Sequence, residues 1–280
     1  MSIKTVKHLA FILKLNAEEL LHLSNTADNY YYTKSEPKLD KENNPKFKKG
    51  KQLFRTLNPS TNELKIVQSR IQKNIIAKIK LPEYAFGAVK GKDNVKNALI
   101  HRGKKYNFTT DLSNYFPSIF NKQVYEMFIY NNFSPTVSRI LTKLTTYQGK
   151  LPQGAPTSPT ISNLVFVKTG LKLQTLAENN NLTFSSFIDD LTFSSKIDFK
   201  NLIPEIIEII INDNFIISHQ KTFYKTYRPT VTGVVVTNNY LFLTEKFKEK
   251  LMNLEHKTPE QISGLKNYAR KVNNANLKTK

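Results

Sequence analysis

Residues 182–195 read LTFSSFIDDLTFSS, so the five-letter word LTFSS occurs twice, once on each side of FIDD. Thr, Phe and Ile favour strands, whereas Asp is depleted from them. The repeat therefore predicts two short strands joined as a hairpin, with Asp189 and Asp190 between them. Two carboxylates about 4 Å apart repel by about 4 kcal/mol at an effective dielectric of 20. Either water at the turn or bound cations must offset that repulsion.

The chain of 280 residues carries 42 Lys and Arg against 22 Asp and Glu, a formal charge of +20. Such an excess indicates a polyanionic partner, most often nucleic acid, with an anionic membrane surface as the alternative. Glu205 and Glu208 interrupt the most apolar stretch, LIPEIIEIII, which is shorter than the roughly 18 apolar residues of a membrane span. The N-terminus reads as an amphipathic helix rather than a signal peptide. The absence of cysteine excludes disulfides and fits a reducing, cytoplasmic location.

Strand and helix signals mix along the chain without a strict strand–helix–strand repeat, which indicates an α+β fold with an antiparallel sheet. Hairpins are expected in residues 29–59, in the LTFSS pair, and in residues 230–243, where an Asn238–Asn239 turn tolerates positive φ. Asp93 is the expected N-cap of one helix, and Thr258 opens an expected capping box with Gln261. Helices are expected over residues 1–28, 62–80, 93–103 and 203–211, from Ser158–Pro159 onward, and twice in the tail.

Asp111 stands at the end of another expected strand, KYNFTTD. If that strand pairs with the two LTFSS strands, the carboxylates of Asp111, Asp189 and Asp190 meet at one edge of the sheet. Oxygen ligands suit Mg²⁺, which completes its shell with water and substrate phosphates. Two such ions about 3.5–4 Å apart can activate an attacking hydroxyl and stabilise a leaving pyrophosphate. The alternative is that the paired aspartates only end a hairpin.

Three motifs follow one another around these aspartates: TDLSNYFPSI, LPQGAPTSPTISN and FIDD. Together they resemble the palm of reverse transcriptases, and the resemblance extends over residues 30–268. NALIH (residues 97–101) and VTG (residues 231–233) are similar to the NAxxH and VTG signatures of retron reverse transcriptases. Ile188 departs from the family, because many members have Ala before the two aspartates.

The resemblance implies catalytic roles for Asp111, Asp189, Asp190 and Lys221, and a nucleotide-binding role for Phe116. It implies that Asp111, Asp189 and Asp190 bind two Mg²⁺ ions. Phe116 matches the aromatic residue that lies under the sugar and excludes a 2′-hydroxyl, although it also fits a simple core position. Lys221 matches a lysine that protonates the pyrophosphate, although it also fits a solvated surface cation.

Nucleotide binding is implied for a further set of residues. Gln153 and Gly154 match the loop that lines the incoming nucleotide, with an ordinary loop as the alternative. Arg55 matches a residue that holds the triphosphate, with a surface cation as the alternative. Lys49 and Lys51 are weaker candidates for the same contact.

The two retron signatures imply contacts with RNA. A histidine at the end of a short helix also commonly bonds the terminal carbonyls, and a glycine within a strand most often marks a bulge. Both motifs therefore remain open between RNA contact and scaffold. The residues concerned are Asn97, Ala98, His101, Val231, Thr232 and Gly233.

The resemblance implies a right-hand polymerase with fingers, palm and thumb. Residues 34–55 hold eight basic and three acidic residues, and residues 240–280 hold nine and four, which suits a groove that grips a nucleic-acid backbone. The expected segments are an N-terminal helical segment (1–28), fingers (29–104), the first part of the palm (105–120), a fingers–palm connection (121–155), the second part of the palm (156–236) and a helical thumb (237–280).

On this resemblance the chain is expected to be an RNA-directed DNA polymerase that copies a cognate structured non-coding RNA with dNTPs. Synthesis is expected to start from a 2′-hydroxyl of a guanosine, which gives branched, RNA-linked single-stranded DNA (msDNA). The family serves in anti-phage defence beside a separate effector protein, and no membrane partner is expected. The alternatives are a reverse transcriptase of another defence or intron lineage, and a catalytically silent polymerase-like RNA-binding protein.

Overall fold

The computed structural model describes residues 3–39, 44–48 and 50–277. Helices and antiparallel strands both occur along that part of the chain, and the α+β expectation is confirmed. The helices are α1 (Val6–Leu13), α2 (Ala17–Thr26), α3 (Asn62–Asn74), α4 (Asn94–Leu99), α5 (Tyr115–Ser118), α6 (Asn121–Tyr130), α7 (Pro135–Thr145), α8 (Ser158–Asn179), α9 (Ile203–Asn212), α10 (Glu245–Met252) and α11 (Pro259–Leu277). The strands are β1 (Lys34–Pro37), β2 (Phe47–Lys48), β3 (Lys51–Gln52), β4 (Phe54–Leu57), β5 (Tyr106–Asp111), β6 (Thr183–Phe187), β7 (Asp190–Ser195), β8 (Phe223–Lys225), β9 (Thr230–Val231), β10 (Val234–Val236) and β11 (Leu241–Leu243).

The chain divides into two compact units. The first unit comprises Met1–Leu81 and Asn114–Val167, and the second unit comprises Pro82–Ser113 and Lys168–Lys280. Fingers, palm and thumb are defined by their function rather than by compactness. The expected division of the chain into those segments therefore stays a prediction.

The helices of the first unit enclose an apolar core. Leu9 on α1, Leu20 on α2 and Leu64 on α3 are each fully buried, as expected of amphipathic helices whose apolar residues recur every three to four positions. Asn16 and Glu19 form a reciprocal capping box at the start of α2. The helical reading of the N-terminal residues is therefore confirmed.

The basic segment of the first unit is a hairpin, as the sequence predicts. Strand β1 pairs antiparallel with β4, so that Lys34 lies opposite Leu57, and β2 pairs antiparallel with β3. The candidate Arg55 lies on β4 and is exposed. Lys51 is also exposed, whereas Lys49 lies outside the described residues.

The second unit is built on a four-stranded antiparallel sheet in the order β6-β7-β5-β8. The two LTFSS words form β6 and β7, which confirms the predicted hairpin. Phe184 and Phe193, the third residues of the two words, lie opposite each other with ring centroids 4.6 Å apart. Phe108 of β5 extends this aromatic layer. The phenylalanines therefore form the apolar face of the sheet.

A smaller sheet in the second unit has the order β11-β10-β9 and packs against α4 and α11. Two expectations about it are wrong. Gly233 does not form a bulge inside a strand, because Thr232 and Gly233 form the two-residue turn between β9 and β10. Both turn residues have positive φ (45° and 82°), as a type I′ hairpin requires, whereas Asn238 and Asn239 do not.

Two expected helix starts are present in the second unit. The side chain of Asp93 accepts hydrogen bonds from the backbone N–H groups of Val95 and Lys96 at the start of α4. Thr258 and Gln261 exchange backbone-to-side-chain hydrogen bonds at the start of α11. Within the described residues, no helix is long and apolar enough to cross a membrane.

Candidate active site

Asp111 and Asp190 face each other across the central pair of strands in the second unit. Strand β5 pairs with β7 so that Asp111, the last residue of β5, lies opposite Asp190, the first residue of β7. The backbone N–H of Leu112 donates to the carbonyl of Asp189 at 2.9 Å and continues the ladder into the turn. The sheet thus brings the three aspartates of the sequence prediction to one edge.

The turn that carries Asp189 has a constrained backbone. Phe187 lies opposite Asp190, so Ile188 and Asp189 form a two-residue turn. Ile188 has φ of 59°, which is an outlier for a β-branched residue. We call strands β6 and β7 with this turn the catalytic hairpin.

A neighbouring segment of the second unit supports the strained turn. Tyr84 and Phe86 exchange backbone hydrogen bonds of 2.8 Å with Ser186 of β6. Gly87 follows, and a Cβ there would lie 2.7 Å from both Cγ1 and the backbone N of Ile188. Only glycine lets this segment lie directly against the turn.

Lys221 contacts the first of the aspartates. Its Nζ lies 2.6 Å from Oδ1 of Asp111. The short 3₁₀ turn that carries Lys221 is fastened to β5, because Ser218 donates its N–H to the carbonyl of Asp111 at 2.7 Å and the hydroxyls of Thr222 and Thr110 lie 2.8 Å apart. The lysine implied by the family motif therefore lies beside the acidic edge.

The electrostatics of this edge favour a cation. Burial, followed by the charges of Asp189 and Asp111, raises the pKa of Asp190 to about 7, against a smaller opposite effect of Lys221. Asp111 itself is only 8% exposed. Partial desolvation beside two other carboxylates favours the neutral form of this carboxyl group, and added positive charge favours its ionised form.

The donor set fits Mg²⁺ in its chemistry, because carboxylate oxygens are the ligands this ion prefers. Within residues 3–39, 44–48 and 50–277, however, no three His, Asp or Glu side chains are grouped closely enough to hold a metal ion as they stand. The ammonium of Lys221 already contacts Asp111. Shared coordination by Asp111, Asp189 and Asp190 would therefore require their side chains to turn toward a common point.

The candidate nucleotide-binding residues lie in the first unit. Phe116 on α5 is half-buried, and its ring centroid lies 5.8 Å from that of Tyr115. The carbonyl of Gln153 accepts a 2.7 Å hydrogen bond from the N–H of Asn58. Gly154 has φ of 113° and is exposed, which leaves its backbone open to a ligand.

The NAxxH residues do not form an RNA-accessible surface. Asn97, Ala98 and His101 are fully buried, as is Val231 of the VTG motif. The imidazole of His101 does not bond the end of its helix either, because its two nitrogens contact the hydroxyls of Ser194 and Ser185. These four side chains lie inside the second unit. The direct contact with RNA that the resemblance implies for them is therefore not possible in this structure.

The exposed part of the VTG motif is its turn. Gly233 is exposed and Thr232 is half-exposed. The hydroxyl of Thr232 donates to the carbonyl of Asn94, and Asn94 Nδ2 donates to the carbonyl of Thr232 at 3.1 Å. Thr232 and Gly233 are thus the two candidates of this group that a large ligand can reach.

A family model described as reverse transcriptase (RNA-dependent DNA polymerase) matches residues 44–249. The chain belongs to the reverse transcriptase family. Retron Ec86 reverse transcriptase of Escherichia coli is 30% identical to it over 209 residues, which cover 72% of this chain and 65% of that protein. Retron Se72 reverse transcriptase of Salmonella heidelberg is 37% identical over 157 residues, which cover 56% of this chain and 40% of that protein. These relatives confirm the retron-type resemblance.

This reverse transcriptase chain spans less than two thirds of the length of either relative. Among solved structures, that of the foamy viral protease-reverse transcriptase in complex with an RNA/DNA hybrid has a TM-score of 0.46 and 21% identity, and covers 78% of this chain and 26% of that chain.

Sequence reasoning missed several residues that shape the site of this reverse transcriptase. Gly87 gave no signal, because its role depends on contact with Ile188, 101 positions away in the chain. Ser185 and Ser194 did give a signal, since both are the fourth letter of the repeated word LTFSS. Their common partner, His101, could not be inferred from the repeat alone.

Proposed function

We propose that this chain is an RNA-directed DNA polymerase, with Asp111, Asp189 and Asp190 as its metal-binding catalytic residues. The observation that carries the proposal is the cross-strand pair of Asp111 and Asp190 beside Lys221, within a chain of the reverse transcriptase family. The raised pKa of Asp190 supports it, because an acidic edge of this kind is stabilised by cations.

The reaction is in-line attack of a hydroxyl on the α-phosphate of a dNTP, with pyrophosphate as the leaving group. The three aspartates would hold two Mg²⁺ ions, which supply activation of the attacking hydroxyl and stabilisation of the leaving oxygen. Lys221 is proposed to give a proton to the pyrophosphate. Its ammonium group contacts Asp111 at this edge and can turn from Asp111 toward the negative charge of the leaving group.

Four residues are proposed to bind the nucleotide: Arg55, Phe116, Gln153 and Gly154. Arg55 is exposed on β4 and can form charge-assisted hydrogen bonds with the triphosphate. Gln153 and Gly154 line the incoming nucleotide, and Phe116 excludes a 2′-hydroxyl by volume. The residue ranges given above for fingers, palm and thumb belong to the same proposal.

The template is proposed to be a cognate structured non-coding RNA that also supplies the primer. Synthesis from a 2′-hydroxyl of that RNA would give branched msDNA, in anti-phage defence with a separate effector protein and in the cytoplasm. The similarity to retron reverse transcriptases supports this part of the proposal. The charge of +20 supports RNA binding in general but gives no preference among RNAs.

A test of the polymerase activity is primer extension on an annealed RNA template with Mg²⁺ and dNTPs. The wild-type chain should extend the primer, and the variant Asp189→Asn/Asp190→Asn should not, although both remain folded by circular dichroism. An exposed carboxylate of the second unit, Glu178→Gln, serves as the matched control and should extend normally. Equal extension by the double variant and the wild type would refute the assignment, and inactivity of all three would favour a silent RNA-binding protein.

The retron assignment needs a second experiment. The region that flanks the gene should be expressed together with the protein, and nucleic acid that copurifies should be sequenced. Short DNA joined to RNA, with a joint cleaved by an enzyme specific for 2′–5′ linkages, is the expected result. Unbranched DNA alone would instead favour a reverse transcriptase of another lineage.

A further inference from the structure

Helix α4 of the second unit lies between two features of different kinds. On one side it contacts the small sheet that carries the exposed turn Thr232–Gly233. On the other side it contacts β6, the first strand of the catalytic hairpin. The NAxxH motif occupies the end of this helix and the residues that follow it.

His101 makes the connection to the catalytic hairpin. Its Nδ1 lies 2.7 Å from the hydroxyl of Ser194 on β7, and its Nε2 lies 2.8 Å from the hydroxyl of Ser185 on β6. Burial, with a smaller effect of Lys104, lowers the pKa of His101 to about 3. A neutral imidazole has one donor and one acceptor nitrogen, and a serine hydroxyl can serve either. One ring therefore bonds both strands of the hairpin.

The two serines lie on the same face of the sheet as Asp111 and Asp190. Ser194 follows Asp190 by four residues, and Ser185 lies opposite Thr192, which follows Asp190 by two. Side chains two positions apart share a face, and each residue advances about 3.3 Å. The ring of His101 thus lies about 7–13 Å behind Asp190 on its own face of the hairpin.

The same helix holds the exposed turn. Asn94 and Asn97 contact Thr232, with Asn97 Nδ2 3.3 Å from its hydroxyl. These hydrogen bonds hold a threonine whose φ of 45° is unfavourable for a β-branched residue. Asn97 and His101 lie four residues apart in the NAxxH motif, so one motif secures both the turn and the hairpin.

We propose that His101 is a positioning residue, which holds both strands of the catalytic hairpin on α4 and thereby fixes the aspartates relative to the Thr232–Gly233 turn. It acts through Ser185 and Ser194 and does not contact RNA. This inference rests on the proposed polymerase function. The proposed role of His101 differs from simple packing, because an apolar side chain would fill the same space without aligning two strands through directional hydrogen bonds.

The test removes the hydrogen bonds without changing the helix. The variant Ser185→Ala/Ser194→Ala keeps His101 in place, and His101→Phe keeps the ring volume. On a saturating annealed RNA template, each variant should lower kcat at least about tenfold, since small misplacements of catalytic groups have large effects on rate. The Kd for that RNA should not change. The triple variant Ser185→Ala/Ser194→Ala/His101→Phe should be no slower than His101→Phe, because all three changes remove the same pair of hydrogen bonds.

His22→Ala, at an exposed histidine of α2, is the control and should match the wild type. A spectroscopic check uses His101→Ala to assign the imidazole NMR signal of His101 by its loss. In the wild type, the chemical shift of that signal should not change between pH 5 and 8. A weaker Kd for RNA with unchanged kcat would overturn the proposal in favour of RNA contact. Normal kcat in the folded serine variant would reduce His101 to core packing. A wild-type protein that never extends a primer would instead refute the proposed function.

Discussion

Removal of the charge on Asp190 should stabilise the metal-free protein, although it should also abolish DNA synthesis. The pKa of Asp190 is raised from 3.8 to about 7 by burial and by its two acidic neighbours. At neutral pH and above, folding therefore forces a charged carboxylate into an unfavourable position. Asparagine has nearly the same shape and carries no charge, so Asp190→Asn relieves this repulsion.

The sign and size follow from proton linkage. Between pH 3.8 and about 7 the folded protein retains a proton on Asp190 that the unfolded chain has lost, so stability falls as pH rises through this interval. The interval spans about three pH units, and each is equivalent to about 1.4 kcal/mol, which gives an upper limit of about 4 kcal/mol. Solvent screening and side-chain rotation reduce this value, and we expect about 1–3 kcal/mol for a partly buried carboxylate.

The assay is thermal unfolding in EDTA at pH 4 and pH 8. Asp190→Asn should melt on the order of 2–6 °C above the wild type at pH 8 and should match it at pH 4, where the wild-type carboxyl is neutral. Asp198→Asn is the control of opposite sign. The hydroxyl of Tyr224 lowers the pKa of Asp198, so this variant should melt no higher than the wild type. Addition of Mg²⁺ at pH 8 should raise the melting temperature of the wild type more than that of Asp190→Asn. A variant no more stable than the wild type at pH 8 would refute the argument, because the repulsion would then be absent from the folded state.

Five further substitutions at four positions test other parts of the site. Phe116→Ala should raise incorporation of ribonucleotides relative to deoxyribonucleotides in competitive single-nucleotide assays, and unchanged discrimination would assign Phe116 to the core. Gly87→Ala should lower both stability and synthesis because its Cβ would overlap Ile188. Ile188→Gly should relieve the positive φ, which costs about 1–3 kcal/mol, but about 1 kcal/mol of that gain is lost to the greater freedom of glycine in the unfolded chain; denaturant unfolding measures both variants. Lys221→Gln should slow extension with little change in melting temperature, because the lysine is 55% exposed in its ion pair with Asp111, and Lys221→Arg should retain more activity.

The parts of the structure that depend on neighbouring residues could be predicted from the sequence. The repeat of the strand-favouring word LTFSS predicted the β6–β7 hairpin and placed the aspartates at its turn. Local capping signals gave the start of α4 at Asp93 and the reciprocal cap of Thr258 and Gln261. Each of these features is decided within a few positions of the chain, where propensity and hydrogen-bonding chemistry are sufficient.

The remaining features depend on contacts between distant segments. The end of a helix suggested terminal carbonyls as partners of His101, but its partners are serines 84 and 93 positions away. The positive φ expected at Asn238–Asn239 occurs instead at Thr232–Gly233. Packing of the small sheet on α4 and hydrogen bonds from that helix decide which turn is tight. Local propensity contains no information about these partners.

The duplicated word also explains how one hairpin serves both folding and chemistry. Its first and third letters, Leu and Phe, point to the apolar face, where Phe184 and Phe193 stack. Its second and fourth letters, Thr and Ser, share the opposite face with Asp190, and the two serines contact His101 there. A slip of one residue in the strand pairing would exchange the two faces and turn the stacked Phe184 and Phe193 toward the polar face. The apolar letters therefore fix the register, and the register fixes which polar side chains surround the proposed metal-binding edge.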